Sequence, residues 1–179
     1  MNKGKRIALL SAGPLSLDLF DETEIYDIRI GVNTAVTKFG CDYWSIADAH
    51  RFEDIIPEDV IGLPKVFMIG AQRDRVLAHQ PERLSKHEVL IWEDVSRKVE
   101  APPKWETWSA IGALVLAKFL GAQRVDCYGV DWSGEKDCTG AVDKQNRNEK
   151  RWGREKKQWN EVVKWMKEHD VLIQRISRS

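Results

Sequence analysis

Five polar residues stand where four short apolar runs end, and together they could do chemistry. Asp131 closes Val125-Asp126-Cys127-Tyr128-Gly129-Val130, Asp48 and His50 follow Tyr43-Trp44-Ser45-Ile46, Asn33 closes Ile28–Val32, and Ser16 follows Ile7–Leu10 and a Gly13-Pro14 turn. Carboxylates and an imidazole can take a proton from a hydroxyl, and an Asn side chain can recognise a base or ribose through paired donor and acceptor. If the runs are strands of one sheet, these residues meet at its carboxyl edge, where open α/β sheets bind ligands. Each also has a plainer reading. Asp131 and Asn33 can cap the following turn or helix, and Gly-Pro marks any strand-to-helix turn.

The elements that must position them can be read from the chain. Thr107–Leu120 carries Lys118 as its one charge, so a helix there is apolar on nearly all sides and belongs in the middle of a domain. Gly121 can stop it in a left-handed conformation, and the Val125–Val130 strand follows. Arg6–Leu10 reads as a buried first strand, and Leu15–Phe20 as a helix opening that leaves backbone N–H groups near Gly13 and Ser16 for a phosphate. Segments 28–32 and 41–48 read as the second and third strands, with a helix from Thr34. Val66–Gly70 and Val89–Trp92 read as strands joined by irregular segments rich in proline; His79 and His87 are expected as exposed loop residues there. In the last third, Trp152, Trp159, Val162, Val163 and Met166 fall at helical spacing as a core stripe, and Val171–Ile176 supplies a final strand. This order predicts an α/β fold, a Rossmann-like three-layer sandwich with a mostly parallel sheet, as one domain over 1–179 with a mobile loop at about 133–146.

Composition narrows the partners. The 179 residues are 42% hydrophobic, enough for one core, and 28 Lys plus Arg balance 28 Asp plus Glu, so net charge neither demands nor excludes a polyanion. The distribution is uneven. Segment 144–157 holds seven basic and two acidic residues, among them Arg147, Lys150, Arg151 and Arg154, which offers a phosphate or DNA contact beside the site, or simply a solvated face. Cys41, Cys127 and Cys138 have no metal spacing and suit a reducing compartment, and no apolar run is long enough for a membrane span or a signal peptide. A cytoplasmic protein without a membrane partner is expected.

Several of these stretches resemble the small Rossmann-like bacterial sialyltransferases and their hydroxymethylpterin pyrophosphokinase-like relatives. Ser11-Ala12-Gly13-Pro14-Leu15-Ser16-Leu17 is similar to the family's Gly-x-Gly-Pro-Ser-Leu turn, one residue longer. Gly31-Val32-Asn33 matches a strand closing on Asn, and Cys41–Asp48 a strand ending in Asp. Trp108-Ser109-Ala110, Leu120-Gly121 and Gly129-Val130-Asp131 look like the family's Thr-Ser-Gly helix start, Leu-Gly turn and Gly-Ile-Asp.

The resemblance implies a glycosyltransferase that moves a sugar from a nucleotide sugar to a hydroxyl, with no required cofactor. Gly13, Ser16, Asn33 and Ser109 would hold the donor, Arg147 and Arg151 the leaving phosphate, and Asp131, Asp48 or His50 would be the base. The acceptor can be a glycan or a hydroxymethylated DNA base, as an enzyme encoded by a bacteriophage and working in the host cytoplasm would need. One departure matters: those sialyltransferases use a His after Gly-Ile-Asp, and this chain has none between His87 and His169. The pterin relatives imply an alternative, diphosphate transfer with magnesium on Asp48 and Asp131. A third reading is a non-catalytic nucleotide-binding protein.

Overall fold

Continuous apolar runs such as Ile7-Ala8-Leu9-Leu10 suit strands covered on both faces, and the computed structural model, which describes residues 4–103, 105, 108–142 and 148–178, builds a sheet of that kind. Its strands are β1 (Lys5–Leu10), β2 (Ile28–Val32), β3 (Tyr43–Ser45), β4 (Lys65–Met68), β5 (Val89–Ile91), β6 (Ala122–Tyr128) and β7 (Leu172–Arg175). All seven pair in parallel, in the order β5-β4-β3-β2-β1-β6-β7. The chain therefore winds outward from β1 to β5, then crosses back to add β6 and β7 on the other side of β1. That reversal opens a crevice at the carboxyl ends of β1 and β6.

Helices cover both faces. On one lie α5 (Trp92–Lys98), α6 (Ser109–Phe119) and α7 (Glu149–Glu168). Every residue of α6 from Ala110 to Ala117 is buried against Ile7, Leu9, Ile30 and Val125 of the sheet and between α5 and α7, which is why it carries almost no charge. At its end Gly121 has φ +87, the left-handed turn that a residue with Cβ resists. On the other face α1 (Pro14–Leu17), a 3₁₀ turn at Asn33–Thr37, α2 (Ala49–Asp54), α3 (Gly70–His79) and α4 (Pro81–Leu84) cover Ala8, Leu10, Trp44, Ile46, Val66 and Met68. Among the described residues no helix is long and apolar enough to cross a membrane.

The stretch expected as irregular between β4 and β5, and beyond it, is helical. A parallel β4-to-β5 crossover needs a connection that packs back on the sheet. Yet α3 buries only Val76 and α4 only Leu84, so no apolar stripe announces either helix. His79 is helical rather than in a loop, and His87 is half-buried edge-on to Trp44 and Phe52, with Nδ1 2.8 Å from the Pro64 carbonyl. The third strand is also shorter than its apolar run, ending at Ser45 so that Asp48 can cap α2.

A polar cluster interrupts the face carrying α1. Asp126 on β6 is 1% exposed and accepts from Arg6 (2.6 and 3.0 Å), Arg124 (2.8 Å) and Tyr26 (3.2 Å). Such a charge is stable there only because its acceptor sites are filled. Arg6 also bonds Glu24 at 2.6 Å, which holds the Glu24 carboxyl below its ordinary range, while burial pushes the Tyr26 hydroxyl up.

Candidate active site

Two backbone loops meet over the crevice at closer range than side chains allow. Ser11 N–H donates to the Tyr128 carbonyl (2.8 Å) and Gly13 N–H to that of Gly129 (2.9 Å). A Cβ on Gly13 would lie 2.3 Å from the Gly129 oxygen, and one on Gly129, at φ +69, would lie 2.2 Å from the Ser11 oxygen. The glycines exist for this interlock.

Asp131 binds the same loops together. Its Oδ2 accepts from the N–H groups of Leu15 (2.6 Å) and Ser16 (3.2 Å), and its Oδ1 accepts from the Ser16 hydroxyl, whose oxygen accepts in turn from Gly129 N–H (2.9 Å). The carboxylate thus caps α1 from across the crevice, a capping role realised on a helix distant in sequence. This has a second consequence. The N–H groups of Leu15 and Ser16, expected to be open to a phosphate, are already occupied, and Ser16 is 2% exposed and lies behind the wall of the site.

In front of this clasp opens a cavity of about 740 Å³. Gly13, Asn33, Asp48, His50, Ser109, Asp131 and Arg151 all line it; Ser16 does not, and Arg147 lies outside the described residues. Asn33 takes a left-handed conformation (φ 51) at the end of β2, where Trp44 Nε1–H holds its carbonyl (2.9 Å). Its Oδ1 accepts from Ser109 Oγ (3.0 Å), and that oxygen accepts from Ala47 N–H (2.8 Å), so the start of α6 is stitched to β2 and to the turn after β3. Left-handed non-glycine residues are uncommon, and this one stands on the cavity wall. Trp132 is a second one, at φ 46.

One wall comes from α2 and α3. Asp48 caps α2 through His50 N–H (3.0 Å) and is exposed. His50 places both ring nitrogens 3.1 Å from Arg75 Nη2, and Nδ1 3.7 Å from Glu53 Oε2. Arg51 completes this wall. The opposite wall is the first turns of α7, with Arg151 over the Trp108 ring (4.8 Å), Trp152 and Arg154. Trp152, expected in the core stripe, is therefore a wall residue, and buried Trp165 takes its place in the core.

The described part of the loop after Gly134 is anchored to the rim. Asp137 accepts from Thr34 Oγ1 (2.9 Å) and from its own turn at Thr139 (2.8 and 2.6 Å), and Cys138 N–H donates to Ala12 (2.8 Å). Residues 143–146, the rest of the segment read as mobile, lie outside the described residues. Among the described residues no group of three His, Cys, Asp or Glu side chains stands where it could hold a metal ion.

Sequence reasoning missed Arg51, Arg75, Trp108 and Trp152 as wall residues. The first two lie in helices whose periodicity was invisible. The tryptophans are apolar residues that read as core.

No family model matches the chain, and no curated protein matches it. Among solved structures, the sialyltransferase CstII of Campylobacter jejuni, in complex with the substrate analogue CMP-3FNeuAc, is similar over 97% of this chain and 81% of that one, with a TM-score of 0.63 and 11% identity. At that identity the likeness is one of fold, and the α/β, Rossmann-like architecture with its parallel sheet is what the two proteins share.

Proposed function

We propose that this chain is a glycosyltransferase-like transferase that moves a sugar from a nucleotide sugar to an acceptor hydroxyl. The observation that carries the reading is the cavity at the sheet's reversal point, with the Asn33–Ser109 pair at its floor and arginines on both walls. A neighbour of the same fold holding a nucleotide-sugar analogue supports it. Asn33 would meet the base or ribose. Arg151 and Arg154 would take the charge of the phosphate as its bond to the anomeric carbon breaks and the acceptor oxygen bonds to that carbon.

The acceptor proton needs a base. Asp131 is engaged by α1 through three bonds, so the role falls to His50, which stands on the wall beside Arg75 with Glu53 3.7 Å from its Nδ1, or to Asp48. The magnesium reading would need Asp131 and Asp48 as ligands, and Asp131 already accepts three hydrogen bonds around α1. A glycan and a hydroxymethylated base satisfy the same chemistry as acceptors.

Thermal-shift measurements with cytidine, uridine and guanosine nucleotides and their sugar conjugates test the reading. A ligand at a hundred times its Kd stabilises by about 2.7 kcal/mol, a rise of roughly 5 to 11 °C for a chain of this size. Asn33→Ala and Arg154→Ala should abolish the rise. If no nucleotide or nucleotide sugar raises the melting temperature, the reading fails; stabilisation without transfer or hydrolysis would make the chain a binding protein.

A further inference from the structure

The outer face of α7 runs away from the cavity mouth with a charge pattern the fold does not explain. Lys150, Arg154 and Lys157 lie at i, i+4 and i+7, all exposed, and span about 10 Å of the helix. Among the described residues none of the three pairs with a carboxylate. By contrast, Lys65, Arg73 and Arg6 do so elsewhere on the surface. In a chain of zero net charge, unpaired cations gathered on two turns mark a surface for an anion. Arg154 belongs to both stripe and cavity wall, so whatever lies along the stripe leads into the cavity.

A second feature is independent of charge. Gly153 sits within α7 at the centre of the stripe, three residues after Lys150 and four before Lys157. Its φ is not positive, and a Cβ there would meet nothing within 4 Å. Neither packing nor backbone conformation requires the glycine, which weakens the helix. What it leaves is a smooth spot between lysines, where a chain of phosphates can approach the backbone closely.

We infer that this face of α7 binds the sugar-phosphate backbone of a single nucleic-acid strand, and that the strand's path ends at the cavity. A membrane surface fits less well, because the apolar face of α7, with Trp159, Val162, Trp165 and Met166, is buried in the core and none is left to enter lipid. A strand fits better, because half-buried Trp152 on the cavity wall is an aromatic ring on which a base can stack. That the strand also supplies the acceptor hydroxyl rests on the transferase reading; that it binds does not.

The test uses the whole chain and fluorescence anisotropy of a labelled oligothymidine of roughly 20 nucleotides, with oligouridine of equal length as a second probe. Between about 50 and 200 mM salt the plot of log affinity against log salt should fall with a slope of about 2 for three phosphate contacts. Neutralising Lys150 and Lys157 to Ala together should reduce that slope by about 1.4. Gly153→Leu should weaken both oligonucleotides at least about tenfold with no loss of melting temperature, since its side chain enters open space. Nucleotide-induced thermal shifts should be unchanged in these variants, so loss of strand binding and failure of the transferase reading are seen separately. Absence of binding at low salt, an unaltered slope in the double variant, or tighter binding to a duplex or to phosphatidylserine vesicles would overturn the inference.

Discussion

Replacing Asp131 with Ala removes the acceptor for three donors at once: the N–H groups of Leu15 and Ser16 and the Ser16 hydroxyl. Leu15 is 56% exposed, so water can take its N–H, but Ser16 is 2% exposed and its two donors are left unpaired. At about 1 to 3 kcal/mol for each of the two buried unsatisfied donors, the substitution should cost roughly 2 to 6 kcal/mol. For a chain of this length that is a fall in Tm of roughly 4 to 24 °C. Asp131→Asn keeps one oxygen for the two backbone donors but loses the charge and turns an amide toward Ser16 Oγ, which already accepts from Gly129. About 1 to 2 kcal/mol is expected, and a smaller fall in Tm. Because both residues belong to one network, Asp131→Ala with Ser16→Ala should cost much less than the sum of the two singles. Thermal and urea unfolding of the four proteins measures this. Refutation would come from Asp131→Asn melting with the wild type while losing a hundredfold or more in transfer rate, the mark of a base rather than a cap.

Two further expectations concern positions outside this network. Gly13→Ala puts a methyl 2.3 Å from a backbone oxygen that cannot move aside, so it should cost about 3 kcal/mol or more, whereas Gly121→Ala, left-handed but in open space, should cost about 1 to 2 kcal/mol. Equal Tm values for the two would deny the interlock. Glu24, held low by its hydrogen bond to Arg6, contributes stability that is present above the ordinary glutamate value of 4.5 and lost as pH falls through its lower folded value. Wild type and Glu24→Gln should therefore differ in Tm at neutral pH and converge in strong acid; a gap that persists in acid would remove Glu24 from the pH response.

The two kinds of information divide along physical lines. Periodicity and composition are local, and they sufficed for the elements whose own residues supply the driving force: the apolar run of β1, the uncharged α6 stopped at Gly121, and the long amphipathic α7. They also placed Gly13, Asn33, Asp48, His50 and Asp131 at element ends, and in parallel α/β topology such ends share one edge, so their meeting on one cavity followed from type and position. Helices α3 and α4 were illegible because each buries a single side chain and is held by the crossover it must make. What Asp131 does could not be read either. A carboxylate after a strand has the same sequence whether it faces a ligand or a helix amino end, and only the fold put Leu15 and Ser16 within its reach, 116 and 115 residues away along the chain. The tryptophans divide in the same way. Trp152 and Trp159 are equally apolar, and it is the packing of α7 against the sheet that buries one and turns the other to the cavity.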